Sequence, residues 1–480
     1  MNYRMLGYLL GIIMMIEAAL LVLPTVVSLL FGEPISPFLI TMGILLLLSA
    51  PLVCRKPSDR RIYAKEGFVC VALAWLVMSL FGALPFVFSG AIPSYVDALF
   101  ETASGLTTTG ATILSEIESL PRGILFWRSF THWIGGMGVL VFMLAIMPSE
   151  GGQSMYLLRA EVAGPTKDKL VPKMRQSAMI LYGIYVALTL LETALLLCTG
   201  MPLYDSVVNA FSTAGTGGFS VKNASIAAYA NPAAEWIIAV FMLLFGVNFN
   251  IYFLLLLRRF GKILQSEELR VYLLITLGFT AVITWNTASQ AASVGDALRD
   301  AFFQVTSIFS TTGFATADYE IWPMLSQSLL WLLLLFGACA GSTTGGLKLS
   351  RILILVKNSF RELRHVLHPR SVGVVRIDGE AIPEATLRSV TNYLAIYLSL
   401  LTVSTLLLSI GETPLLTNLT ASLTCLNNVG PGFGLVGPTE NFGFFSIPAK
   451  LWLTLVMLVG RLEILPMLIL FSPSVWKRKH

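Results

Sequence analysis

Apolar residues run in long blocks along this chain, and charged and turn-forming residues collect in the short connections between them. Gly67 to Phe88, Ala178 to Cys198, Tyr272 to Trp285 and Leu394 to Ile410 are almost free of ionisable groups. A helix needs about 20 apolar residues to cross the hydrocarbon core of a bilayer, so blocks of this kind predict spanning helices. Ten are predicted, near residues 5–31, 37–54, 66–89, 123–147, 177–199, 233–257, 270–287, 324–356, 389–410 and 444–471. The first, from about Met5 to Phe31, is too long for the apolar core of a signal peptide and has no small-residue cleavage site after it, so it reads as a retained span.

Four connections do not fit this scheme, being too apolar for plain loops and too short to cross the membrane twice. Each can be aligned with the others on a glycine: Asp97 to Gly110, Asp205 to Gly218, Asp300 to Gly313 and Thr417 to Gly430. A residue of helix N-cap type stands 13 positions before the glycine in all four, and the glycines are 108, 95 and 117 residues apart. Each segment reads as a helix of two to three turns that starts at this cap and ends in irregular backbone at the glycine. Irregular backbone at membrane depth is tolerated only where protein buries it or water lines it, and four such stretches can satisfy one another around an axis. A unit with two full spans has even topology, so the copies are parallel, which argues against inverted-repeat transporters.

Composition sharpens this picture. Only 12% of the 480 residues are charged and mean hydropathy is +0.77, which excludes a single soluble core; soluble domains are nearer one quarter charged. Lys and Arg alternate from side to side. Arg55 to Lys65 holds five, Glu150 to Arg175 five, Arg258 to Arg270 four, Lys348 to Arg388 eight and the tail Lys477 to Lys479 three, whereas Arg122, Arg128, Lys222, Arg299 and Lys450 are all that the opposite side carries. The positive-inside rule then makes both termini cytoplasmic, in agreement with an even number of spans. The outer connections hold thirteen acidic residues, among them Asp97, Glu116, Glu118, Asp205, Asp300, Asp318 and Glu440. Such a mouth either concentrates cations or reflects only the exclusion of Lys and Arg from that side. The five cysteines, Cys54, Cys70, Cys198, Cys339 and Cys425, lack CxxC spacing and are read as small core residues, with no disulfide framework or zinc site.

The glycine segments point to ion chemistry. Thr108, Thr109 and Gly110, then Thr216, Gly217 and Gly218, Thr311, Thr312 and Gly313, and Asn428, Val429 and Gly430 allow extended strands whose successive carbonyls point to one side, and glycine reaches the φ > 0 conformations that this needs. Rings of carbonyls can replace the hydration shell of a monovalent cation, here with Thr109, Gly110, Gly217, Gly218, Thr312, Gly313, Val429 and Gly430 nearest the ion. The C-terminal ends of the short helices favour a cation as well. The competing reading is that small residues simply let helices pack closely.

At Leu106 to Thr112, Phe211 to Ser220, Phe309 to Thr316, Gly337 to Lys348 and Asn427 to Gly434 the chain resembles the membrane subunits of the Trk/Ktr/HKT superfamily of potassium transporters, and most of all a bacterial Trk potassium uptake protein. The resemblance implies an all-α polytopic membrane protein of about ten transmembrane helices and four re-entrant pore helices, with four parallel helix/pore-helix/helix repeats around one pore. Residues 1–60 then form two extra N-terminal helices, and 61–150, 151–262, 263–360 and 361–480 the four repeats. Relatives that favour sodium have serine at the first filter position, where this chain has Gly110, so potassium is the expected substrate. The resemblance also implies a homodimer in a bacterial cytoplasmic (inner) membrane, surrounded by lipid, and a cytoplasmic ring of nucleotide-binding regulatory subunits. No cofactor is expected on this chain.

The eighth span is interrupted by Gly337 to Gly346, ten small or hydroxyl residues in which a helix is uncomfortable. Family resemblance makes this stretch, with Gly337, Gly341, Gly345, Gly346 and Lys348, an intramembrane gating loop; the plain alternative is a Gly341/Gly345 packing seam. Arg461 lies in the last span with Glu463 nearby, and resembles the family's pore-facing arginine under the filter, unless it is a salt bridge between helices. Glu17, Glu192, Arg128 and His132 are read as structural pairs with no assignable partner.

An enzyme is not expected. Gly432 to Gly437 matches GxGxxG, but no strand precedes it and Pro438 follows it. No P-loop is present, and His365, His368 and His480 lack metal spacing. The basic segments 150–175 and 357–388 suit docking of regulatory subunits or are solvated linkers. Two mechanisms remain open, a gated potassium pathway and a cation carrier coupled to protons or sodium.

Overall fold

The computed structural model describes residues 1–55, 57, 64–138, 174–371 and 373–476. The last nine residues of the fourth predicted span, most of the basic connections 55–65 and 150–175, and the Lys477 to Lys479 tail lie outside these residues.

The chain opens with α1 (Tyr3–Leu20), α2 (Val22–Leu30) and α3 (Ser36–Cys54), followed by α4 (Ala64–Gly82) and α5 (Leu84–Phe88). The predicted short helices are α6 (Tyr95–Leu106), α9 (Leu203–Gly215), α14 (Val294–Phe309) and α18 (Leu415–Asn427). The helices that flank them are α4 and α7 (Arg122–Gly136), α8 (Met174–Cys198) and α10 (Pro232–Phe245), α13 (Glu267–Thr287) and α15 (Met324–Leu334), and α17 (Glu384–Ser409) and α19 (Ile447–Arg461). Between α10 and α13 lie α11 (Phe249–Leu256) and α12 (Phe260–Gln265); α16 (Leu349–Leu367) and a two-stranded hairpin, β1 (Arg376–Ile377) and β2 (Glu380–Ala381), precede α17; α20 (Leu465–Leu470) and α21 (Pro473–Trp476) follow α19.

Six helical stretches among the described residues are long and apolar enough to cross a membrane: Tyr3–Leu30, Ser36–Cys54, Glu66–Phe88, Ala178–Cys198, Glu267–Thr287 and Glu384–Ser409. Three other predicted spans are broken. The sixth bends by 91° between α10 and α11, at Gly246 to Asn248, where the Asn248 side chain caps the second half. The eighth loses its helix over 335–348, and the tenth breaks at Leu462 to Ile464, where Glu463 and Ile464 take φ of 57° and 63°.

The predicted start points of the short helices need correction. Ser94, not Asp97, is the N-cap of α6 and accepts from the Asp97 N–H at 3.4 Å, leaving the carboxylate in the first turn, where the helix dipole favours it. Pro202 and Pro414 precede α9 and α18, placing Asp205 and Thr417 likewise in the first turn, and α14 starts after Ser293, so Asp300 falls inside it. What recurs at 13 residues before the glycine is therefore a first-turn polar group in three repeats. The cysteine expectation also needs amending: Cys70, Cys339 and Cys425 are buried, but Cys54 and Cys198 are exposed.

Packing closes the architecture in a circle. Each short helix lies against its own flanking helices and also against the second helix of the preceding unit: α9 on α7, α14 on α10, α18 on α15, and α6 on α19. The last contact joins the fourth unit back to the first. The α1–α3 hairpin packs outside this circle on α4 and α7, and Glu33 accepts from the N–H groups of Arg122 and Gly123 that open α7.

Candidate functional site

All four short helices end in the same way, as the first three residues after each one show. Thr108, Thr216, Thr311 and Asn428, two residues before the aligned glycines, take the left-handed conformation at φ of 54–56°. The next residue, Thr109, Gly217, Thr312 or Val429, donates its N–H to the carbonyl of Ser104, Ser212, Ser307 or Thr424 at 2.8–2.9 Å. This is the six-to-one bond of a Schellman ending, which glycine usually makes. Here threonine and asparagine occupy the left-handed position, a conformation that costs a branched side chain about 1–2 kcal/mol. Strain repeated at four equivalent, fully buried positions marks a place where the fold overrides local preference.

The glycines then bring the four chain segments together. A Cβ on Gly110 would stand 2.0 Å from the Gly217 carbonyl oxygen; on Gly218, 2.1 Å from that of Thr312; on Gly313, 2.2 Å from that of Val429; and on Gly430, 2.7 Å from that of Thr109. These contacts run from the first unit to the second, third and fourth and back to the first, a closed ring of backbone. Each of the four glycines has φ between 78° and 94°, so glycine is required both for space and for conformation. The Asn428 side chain links the last unit to the first by donating to Thr109 Oγ1 at 2.9 Å. All twelve residues singled out from the sequence thus lie in one ring, without a carboxylate among them.

A cavity of about 150 Å³ opens on the ring between it and the connections that follow, lined by Gly110, Gly218, Gly313 and Gly430 and, further out, by Lys222 and Glu440. At its edge Lys222 pairs with Glu118 at 3.0 Å, and this contact, with the Asn223 N–H, holds the exposed Glu118 carboxyl below the usual carboxylate range. Among the described residues no cluster of three His, Cys, Asp or Glu is placed to hold a metal ion.

Two residues read only as structural prove to brace the ring. Arg128 Nε lies 2.7 Å from Glu101 Oε1, both wholly buried, while its Nη1 donates to the Ser220 carbonyl at 3.0 Å and its guanidinium sits 3.5 Å from the Phe219 ring centre. Glu101 also accepts from Thr112 Oγ1 and from the Ile113 N–H. One ion pair therefore holds the chain beyond the ring in the first and second units. His132 Nδ1 is 2.7 Å from the Gly105 carbonyl, and its ring fills the space that a side chain on Gly217 would need. Glu17 corrects the expectation of pairing, because its buried carboxylate has no hydrogen-bond partner among the described residues. Glu192 is buried beside Thr213.

Arg128→Ala is expected to cost about 3–5 kcal/mol, because it strands the buried Glu101 carboxylate. Thermal unfolding in detergent checks this: Arg128→Met with Glu101→Leu should recover most of the loss, and a single variant as stable as the parent would show the pair to be dispensable.

Beneath the ring, residues 335–348 form a loop with a closed neck. Gly337 N–H donates to the Leu347 carbonyl at 2.9 Å and Leu349 N–H to the Ala338 carbonyl at 3.1 Å. The loop fills the break in the sixth span, since Cys339 N–H donates to the Gly246 carbonyl and Phe249 N–H to that of Gly341. Its tip touches the ring residue Thr311, whose Oγ1 accepts from Gly345 N–H at 2.9 Å. Lys348, also buried, donates to the Thr344 carbonyl and to Thr344 Oγ1. Arg461, the last residue of α19, donates to the Thr343 carbonyl at 2.7 Å and to those of Gly135 and Gly136 at 2.6 and 2.9 Å. It joins the loop to the end of α7, while the Glu463 carboxylate is engaged by Arg351.

Sequence reading missed the left-handed threonines, because threonine carries no signal for that conformation; their recurrence two positions before three of the four glycines, with Asn428 before the fourth, was the trace. It also missed the 91° bend, for which Gly246 and Asn248 inside an apolar run were the available sign.

Comparison with known proteins places the chain as a whole. The TrkH family, described as a cation transport protein, matches residues 36–478. The chain is 36% identical to the Trk system potassium uptake protein TrkH of Salmonella typhimurium, over 99% of this chain and all of that one, and 35% identical to that of Halomonas elongata over the whole of both. The crystal structure of the potassium transporter TrkH from Vibrio parahaemolyticus superposes with a TM-score of 0.88 at 32% identity, covering 99% of this chain and 100% of that one. The chain is thus a multi-pass membrane protein and not an enzyme, and it belongs to the TrkH family of cation transport proteins.

Proposed function

We propose that this protein takes up potassium across a bacterial cytoplasmic membrane, with the glycine ring as its selectivity filter and the 335–348 loop as its gate. The closed succession of backbone contacts from Gly110 through Gly218 and Gly313 to Gly430 carries this reading. Backbone carbonyls held at fixed spacing replace the water of a monovalent cation without introducing a fixed charge. Four helix C-termini ending at the ring add their negative dipole ends. The loop bonded beneath, with Arg461 attached, obstructs the path until it moves. The distribution of Lys and Arg supports cytoplasmic termini, and the basic segment 357–388, from the second half of α16 to the start of α17, a docking face for separate nucleotide-binding subunits, with the protein acting as a homodimer.

Liposomes holding the purified protein under defined potassium, sodium and proton gradients test this reading. The reversal potential should follow the potassium gradient alone. A potential that moved with the proton or sodium gradient would establish a coupled carrier instead. Shortening the Ala338 to Gly346 stretch should yield a folded protein with higher basal potassium flux and unchanged ion preference. Unchanged or lost uptake in a monodisperse variant would show that the obstruction lies elsewhere.

A further inference from the structure

We propose that Glu268 is a positioning residue for the gate, the latch that holds both ends of the 335–348 loop; this rests on the reading of that loop as the gate. One carboxylate oxygen, Glu268 Oε1, accepts from the Ala340 N–H at 2.8 Å and from the Ser350 N–H at 3.0 Å. These donors lie on the two sides of the neck, Ala340 two residues after Ala338 on the entering limb and Ser350 in the first turn of α16, just past the returning limb. Glu268 reaches them from a separate element, the first turn of α13, and is buried. The other outside bonds of the loop, to the Gly246 and Phe245 carbonyls, from Phe249 N–H, to Thr311 Oγ1 and from the Arg461 guanidinium to the Thr343 carbonyl, join one point of the loop each. Besides the two backbone bonds that close the neck, the Glu268 oxygen is the one acceptor on a separate element, among the described residues, that binds both limbs, so losing it loosens both at once.

The turn that carries the latch is anchored toward the hairpin. Asp378 Oδ1 accepts from the Glu267 N–H at 2.7 Å, and Lys357 pairs with Glu267 while donating to the Arg376 carbonyl at 2.8 Å. The turn between β1 and β2 is therefore one residue away, along α13, from the group that closes the loop.

Cys339, fully buried next to Ala340, reports on the loop. In full-length protein with Cys54→Ala and Cys198→Ala, the rate of alkylation by N-ethylmaleimide is read peptide by peptide at Cys339, Cys70 and Cys425, alongside potassium flux in liposomes. Glu268→Ala should speed alkylation of Cys339 at least tenfold while leaving Cys70 and Cys425 slow, and should raise basal flux severalfold. Glu268→Gln keeps an oxygen that accepts both N–H groups and should resemble the parent. Ser350→Pro, which removes one donor at the second position of α16 and retains the carboxylate, should give an intermediate result, and stands in if Glu268→Ala does not fold. In the loop-shortened protein Glu268→Ala should add nothing to flux. Parental alkylation and flux in Glu268→Ala, while the loop-shortened protein is fast, would overturn the latch and leave the gate in place. Faster alkylation at all three cysteines would overturn it as general loosening. A loop-shortened protein no faster than the parent would overturn the gate, and the latch with it.

Discussion

Arg461→Ala is expected to raise potassium flux by roughly a hundredfold and to leave the preference among monovalent cations nearly intact. Two like unit charges about 6 Å apart at an effective dielectric of about 20 repel by roughly 3 kcal/mol, which slows passage by about that factor. Potassium and sodium carry the same charge and feel the same repulsion, so the ring that separates them is untouched. The three carbonyl bonds of Arg461 add a mechanical contribution, because they tie Thr343 of the loop to Gly135 and Gly136. Arg461→Lys separates the two. Lysine keeps the charge but cannot reproduce the planar fork of donors. A low flux in Arg461→Lys assigns the barrier to charge, and a high flux assigns it to the tie. Glu463 keeps Arg351 as its partner, so Arg461→Ala does not orphan it, and thermal stability should fall little. Joint loss of stability and flux would instead make Arg461 a structural strut.

Gly110→Ser should lower potassium over sodium selectivity about tenfold, equivalent to about 1.4 kcal/mol, while the protein still folds. Its Cβ would meet the Gly217 carbonyl oxygen at 2.0 Å, and φ of +80° is strained for any side chain, so the neighbouring unit has to move outward. Wider carbonyl spacing fits potassium less closely and relaxes the discrimination. The same substitution at Gly430, where the nearest carbonyl oxygen is 2.7 Å away, should be milder. Gly278→Ala is the control, since a Cβ there meets nothing within 4 Å. Reversal potentials in mixed potassium and sodium decide the matter, and parental selectivity in a folded Gly110→Ser protein would remove this ring from the ion path.

Much of this arrangement is legible in the chain itself, for reasons of solvent. A bilayer requires long apolar blocks, and the long spans such as Ser36–Cys54 and Glu384–Ser409 follow the hydropathy within a few residues. A glycine shortly after each of four short helices was visible because glycine alone accommodates both a positive φ and a close backbone neighbour. The interruption at Gly337 to Gly346 was visible for a related reason, since ten small residues lack helix-forming side chains.

Tertiary structure decided which backbone meets which. No local preference puts Thr108, Thr216 and Thr311 in the left-handed region; the units packed around them hold them there. Nor does any spacing pair Glu101 with Arg128, 27 residues away, or bring Glu268 to Ala340 and Ser350, because such partners are set by how helices distant in sequence cross. The bend at Gly246 to Asn248 exists because the loop from another unit supplies the hydrogen bonds that a broken helix loses, and those bonds belong to two segments about 90 residues apart. Hydropathy and glycine spacing are properties of single segments, so the sequence by itself determined the spans and the repeated helix and glycine. The order of the ring, its bracing and the attachment of the loop are relations between segments, and only the packed chain decided them.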